Sequence, residues 1–340
     1  MERIRLVQVG MTHEHAGGKM ASLRKMEDIF EIVGYVDDRE TVKQPYYYNP
    51  VGREYDGLKK LTVEEILADN TIQAALIEVP NDYTVEAALP FAERGFALHM
   101  DKPAGKELAP YKKLLDICKA KDLPFQMGFM FRGNPGFRFA ADAIKNGLLG
   151  EVFEFTATMG HDYGNDRYFE YIHQMPGGLA YNLICHYIDF AAEVLGRPQT
   201  VHHWLKSAPG EPDTLKNNCT ALLSYPNATA VIRSCGREVH GGDHRRLRIC
   251  GTNGTIEMSP VERYDGKPLT LQLTLKQDAD GYKKGEQTVD CGITPDRYME
   301  QLKNFAGMIR GTEKDLFTRD HDLLVHEIVL AASGMADWKE

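Results

Sequence analysis

The chain has 340 residues, 43% hydrophobic and 26% charged, with a formal net charge of -9 at pH 7. That length exceeds a typical single core and predicts two domains. The negative balance, with 40 Lys and Arg residues scattered along the chain, argues against nucleic acid or an anionic membrane as partners.

No uninterrupted apolar run approaches the roughly 20 residues that cross a bilayer. The opening Met1-Glu2-Arg3-Ile4-Arg5-Leu6 is not read as a signal sequence. Six cysteines stand far apart with no C-x-x-C pair, a pattern that suits reduced thiols. A cytoplasmic location is expected.

Short apolar runs alternate with helical patterns over the first 125 residues. Strands are predicted at Ile4 to Val9, Ile32 to Val36, Ala74 to Val79, Ala97 to Met100 and Phe125 to Phe129. Helices are predicted at Ala16 to Met26, Val63 to Ala68, Thr84 to Arg94 and around Tyr111 to Lys121. Thr62 and Glu65 form a capping box before the second of these helices, and Gly95 stops the third. Such alternation builds a parallel sheet with helices, a Rossmann-type α/β domain over residues 1–125.

After Arg132 the rhythm changes. A helix from Phe137 to Asn146 precedes strand-like segments at Val152 to Met159, Thr200 to Leu205, Thr220 to Tyr225, Ala228 to Ser234, Leu247 to Cys250 and Leu269 to Leu275. A long helix, Gly178 to Leu195, interrupts them, and two helices follow, near Asp296 to Arg310 and Asp320 to Trp338. The prediction for residues 126–340 is an α/β domain with a large, open, mostly antiparallel sheet. Its open face is expected to form a homodimer or homotetramer.

Ligands of a parallel sheet bind beyond the C-terminal ends of its strands. Those ends carry Gly10-Met11-Thr12-His13, Asp37-Asp38, Val79-Pro80-Asn81 and Asp101-Lys102, which are the candidate cofactor-binding residues. Asp37 is placed to accept a ribose 2′-hydroxyl and its charge repels a 2′-phosphate, so NAD is favoured over NADP. The phosphate loop departs from G-x-G-x-x-G: only Gly10 of Gly10-Met11-Thr12-His13-Glu14-His15 is in place. Thr12, His13 and His15 offer donors to a phosphate, whereas Glu14 adds an unhelpful charge. His13-x-His15 alone is an incomplete metal site, and no metal is assigned. His240-Gly-Gly-Asp-His244 reads as a turn.

On the long helix Asn182, His186 and Asp189 fall at i, i+4 and i+7, one face. Buried polar side chains there require partners or a ligand; the plain structural alternative pairs His186 with Asp189. Cys185 neighbours His186 but points elsewhere, so a thiol nucleophile is not expected.

Taken in order, several segments resemble the Gfo/Idh/MocA (glucose–fructose oxidoreductase/inositol dehydrogenase) family. They are Val79-Pro80-Asn81; His99-Met100-Asp101-Lys102-Pro103; Phe131-Arg132-Gly133-Asn134-Pro135 running to Gly147-Leu148-Leu149-Gly150-Glu151; Gly177-Gly178 through His186 to Asp189; and Cys250-Gly251-Thr252-Asn253-Gly254-Thr255-Ile256-Glu257. The resemblance implies an NAD(P)-dependent oxidation of a secondary hydroxyl in a sugar, sugar derivative or inositol-like polyol. It implies that Lys102 holds the hydroxyl and His186 removes its proton. Asn182 stands where the family often has Asp, Asp101 where it usually has Glu, and Thr84 where a histidine is common. Asn182, His161 and Tyr163 are candidate substrate contacts. Two alternatives stand beside this reading: a redox-neutral, NAD-dependent glycoside-cleaving enzyme, and a non-catalytic nucleotide or sugar sensor.

Overall fold

The computed structural model describes residues 2–42, 52–162 and 166–339. Two compact units emerge, residues 1–129 with 298–326, and residues 130–297 with 327–340.

In the first unit β1 (Ile4–Val9), β2 (Phe30–Val36), β3 (Ala74–Ile77), β4 (Ala97–Met100) and β5 (Phe125–Met127) form a parallel sheet in the order β2-β1-β3-β4-β5. Helices α1 (Ala16–Arg24), α2 (Val63–Ala68), α3 (Thr84–Arg94) and α4 (Leu108–Ala120) connect them. The capping box closes as expected: Glu65 N–H donates to Thr62 Oγ1 at 3.1 Å, and Thr62 N–H donates to Glu65 Oε2 at 2.8 Å. All four residues of β3 and of β4 are buried, which explains their unbroken apolar runs.

Register decides where the functional residues gather. Val9 pairs with Ile77 and Val36, and Ile77 pairs with Met100. The next residues along, Gly10, Glu78 and Asp101, are therefore neighbours at one sheet edge. Backbone bonds continue the pairing there, from Glu78 N–H to Val9 O and from Asp101 N–H to Ile77 O. Gly10 sits at φ +93°, and a Cβ on it would lie 2.7 Å from Glu78 O. Only glycine fits this turn.

The second unit contains α5 (Pro135–Lys145), β6 (Val152–Gly160), α6 (Asp166–His173), α7 (Cys185–Leu195), β7 (Thr200–Lys206), β8 (Asn218–Ser224), β9 (Thr229–Cys235), β10 (Arg246–Gly251), β11 (Gly254–Met258), β12 (Thr270–Leu275) and β13 (Gly285–Asp290). Its eight-stranded sheet runs β13-β12-β11-β10-β6-β9-β8-β7, antiparallel except between β6 and β9. Alternate residues such as Ala221 and Leu223, Ala230 and Ile232, and Leu271 and Leu273 are buried, leaving the other face partly exposed. Aromatic contacts join α5, α7 and β6: Phe137 and Phe155 lie with ring centroids 4.9 and 6.0 Å from Phe190.

The chain then returns through α8 (Met299–Arg310) and α9 (Arg319–Ala332). Leu302, Phe305 and Ala306 pack with Ile4, Leu6, Met20 and Leu23 in the core of the first unit. A single boundary near residue 125 therefore does not describe the chain; burial of the apolar stripe of α8 returns residues 298–326 to the nucleotide half. The sequence reading also passes over α6 and β13. Among the described residues, no helix is long and apolar enough to cross a membrane.

Candidate active-site residues

In the first unit the loop after β1 is tied down by its own side chains. Asp38 accepts the Met11 N–H at 2.9 Å and the Thr12 hydroxyl at 2.5 Å. The hydroxyl expected to serve a phosphate is thus donated to Asp38. Burial pushes the Asp38 carboxyl up, although Thr12 and Met11 partly offset it. Asp37, expected at the ribose, pairs with Arg39 at 2.6 Å and Lys60 at 3.2 Å, and the Arg39 bond holds its carboxyl well below the usual range. Of the two aspartates, it is Asp38 that meets the loop.

His13 is buried. Its Nδ1 accepts the His15 N–H at 3.2 Å, which leaves Nε2–H to donate to Asn81 Oδ1 at 2.7 Å. Burial lowers its pKa to about 4, so the ring is neutral at pH 7. Val79 and Pro80 complete the turn: Val79 is buried against Gly10, and the Pro80 carbonyl accepts the Tyr83 N–H at 2.8 Å.

Beneath this loop lies a buried charge cluster that the sequence reading missed. Lys19 Nζ donates to Asp101 Oδ2 at 2.6 Å and to Glu78 Oε1 at 2.7 Å, and all three side chains are at most 1% exposed. His15 Nδ1 lies 3.0 Å from Asp101 Oδ2. Burial opposes the ionisation of Asp101, yet His13, Lys19 and His15 together hold its carboxyl well below the usual range. Asp101 wins the competition for the Lys19 charge, and burial pushes Glu78 up to about 8. A charged residue inside each of two apolar patterns, Glu78 after β3 and Lys19 on α1, was the available signal.

His13, His15 and Asp101 bring ligand-type atoms within 4.8 Å of one another. Their carboxylate already carries the Lys19 ammonium, so a divalent ion would meet an adjacent positive charge. Lys102, fully buried at the end of β4, places Nζ 3.5 Å from Glu14 Oε1. The carboxylate that looked unhelpful to a phosphate faces this lysine.

In the second unit the expected long helix opens with a π-helical turn, Ala180–Ile184, before α7. Asn182 lies in that wider turn, whereas His186 and Asp189 stand three apart on α7. Asn182 accepts the Tyr168 hydroxyl at 2.9 Å and points its amide toward Met175 Sδ at 3.8 Å. Asp189 accepts Arg132 Nη2–H at 2.6 Å and Nε–H at 3.0 Å. His186 is 1% exposed, its ring 5.5 Å from that of Phe131. His161 is half-buried and continues the β6 pairing, its N–H donating to Cys235 O at 2.9 Å. Tyr163 lies outside the described residues.

Residues 137–257 match the GFO/IDH/MocA C-terminal domain. The span includes the π-turn, His186 and six strands of the large sheet. Over this stretch the chain is similar to the Gfo/Idh/MocA oxidoreductases. It is 23% identical over 233 residues to an inositol 2-dehydrogenase of Rhizobium meliloti, covering 67% of each chain. Matches to curated relatives span 54%, 67% and 64% of those proteins' own lengths. The fold is similar to that of an Agrobacterium radiobacter oxidoreductase in complex with NAD+, L-tartaric acid and magnesium (TM-score 0.77, 16% identity, 98% of this chain and 96% of the other). It is also similar to an Actinomadura kijaniata 3-ketoreductase in complex with TDP-benzene and NADP (TM-score 0.74, 16% identity, 97% of each chain). In the loop after β1, Asp38 holds the backbone of Met11 and the hydroxyl of Thr12, and Lys19 ties Asp101 to Glu78.

Proposed function

We propose that this chain is an NAD(P)-dependent dehydrogenase that oxidises a secondary hydroxyl of a sugar, sugar derivative or inositol-like polyol. The observation that carries the reading is Lys102. A fully buried lysine facing a carboxylate stands at the end of β4, where ligands of parallel sheets bind.

The loop residues fit a dinucleotide. Gly10 has a backbone that no Cβ could share, and Asp37, with Asp38 beside it, follows β2 where a carboxylate suits a ribose diol. That negative charge favours NAD over NADP. When bound, the nicotinamide ring supplies the hydride acceptor. Lys102 holds the substrate oxygen and stabilises its developing negative charge. His186 takes the hydroxyl proton, a task suited to imidazole near neutral pH. Asn182, His161 and Tyr163 remain the proposed substrate contacts.

Six free cysteines support a reducing, cytoplasmic setting. The exposed face of the large sheet supports a homodimer or homotetramer, which light scattering in solution reads.

The deciding experiment follows reduced-cofactor absorbance with a polyol panel. Steady reduction by wild type, with kcat lowered about 10²–10⁴-fold in Lys102→Ala and His186→Ala, supports the reading. Undiminished turnover in both variants overturns the residue assignment. Product formation without net cofactor reduction points instead to the redox-neutral reaction.

A further inference from the structure

We propose that Glu14 is a positioning residue: its carboxylate holds the Lys102 ammonium and thereby links the loop after β1 to the lysine at the end of β4. The link to catalysis rests on the function proposed above; the pairing itself does not.

Glu14 occupies a loop where a negative charge opposes a phosphate, and burying it without a partner would be costly. Its side chain is 9% exposed and that of Lys102 is 0% exposed, with Oε1 and Nζ 3.5 Å apart. The other carboxylates of the unit's buried cluster are engaged elsewhere. Asp101 gives Oδ2 to Lys19 and His15, and its Oδ1 accepts the backbone N–H of Lys102 at 2.7 Å. Glu78 gives Oε1 to Lys19. Lys19 thus faces Asp101 and Glu78, and Lys102 faces Glu14.

Two loop histidines also stand near this pair. His15 Nε2 lies 3.6 Å from Glu14 Oε1, while His13 turns Nδ1 toward Asp101 and Glu78 at 3.5 and 3.7 Å. Burial alone would raise the Glu14 pKa; Lys102, then His15 and His13, reverse this and hold it low. A charged Glu14 holds the Lys102 ammonium in place, and an ammonium so held stabilises an alkoxide. It also means that displacement of the loop is felt at Nζ.

The test labels lysines with ¹⁵N and follows the Lys102 ammonium resonance, identified by its loss in Lys102→Ala, at a fixed pH. In Glu14→Gln the resonance is expected to move and its protons to exchange with water about tenfold faster. Glu14→Asp, with a shorter reach, moves it in the same direction by a smaller step and keeps the test open should Glu14→Gln not fold. In turnover, kcat falls about tenfold in Glu14→Gln and KM changes less. A merely structural role leaves the Lys102 resonance in place. An unmoved resonance in both variants overturns the pairing even if wild type oxidises polyols. A shifted resonance in a protein that oxidises none upholds the pairing and overturns the proposed function instead.

Discussion

The ammonium of Lys19 lies 2.6 Å from Asp101 Oδ2, with both side chains at most 1% exposed. An ion pair this deep contributes little relative to an apolar pair of the same volume, but breaking it strands a buried charge. Lys19→Met is therefore expected to lose about 3–5 kcal/mol of stability, measured by urea unfolding. A loss below about 1 kcal/mol would show that the cluster rearranges around the missing cation.

Glu78 makes the stability of the first unit depend on pH. Its carboxyl is raised from 4.5 to about 8 by burial, so between these values the folded chain keeps a proton that the unfolded chain has released. The stabilisation is full below pH 4.5 and is lost as pH rises through about 8. Glu78→Gln removes this dependence while retaining an oxygen for Lys19. Its Tm relative to wild type should rise between about pH 5 and pH 8. A constant difference across that range would mean that Glu78 is ionised throughout.

Arg132 and Asp189 form the corresponding pair in the second unit, with side chains 4% and 2% exposed. Arg132→Met leaves Asp189 buried without its guanidinium and is expected to cost about 3–5 kcal/mol. Adding Asp189→Leu should recover most of that loss in a double-mutant cycle. Additive losses in the double variant would rule out coupling between the two side chains.

The elements of the nucleotide half were legible because their signals are local. Thr62 and Glu65 sit three apart, Gly95 follows Arg94 and adopts φ +100°, and β3 and β4 are short, apolar and bounded by polar turns. The position of Lys102 at a strand end followed from the same pattern. What escaped the sequence depends on partners distant along the chain. Lys19 reads as an ordinary surface lysine until Glu78 and Asp101 are brought under it. Asp37 and Asp38 are adjacent in sequence, and only the turn after β2 shows which one faces Met11 and Thr12. The π-turn at Ala180–Ile184 has no periodic signature of its own, so a plain helix was expected through Asn182. β13, Gly285–Asp290, is mostly polar, and pairing with β12 rather than any apolar run defines it.

The return of residues 298–326 to the first unit bears on how the protein is made. During vectorial synthesis, all five parallel strands leave the ribosome before Leu302, Phe305 and Ala306 exist to cover Ile4, Leu6 and Met20. That core stays incomplete throughout translation of the second unit. The half of the protein translated first is thus the half completed last, when α8 arrives.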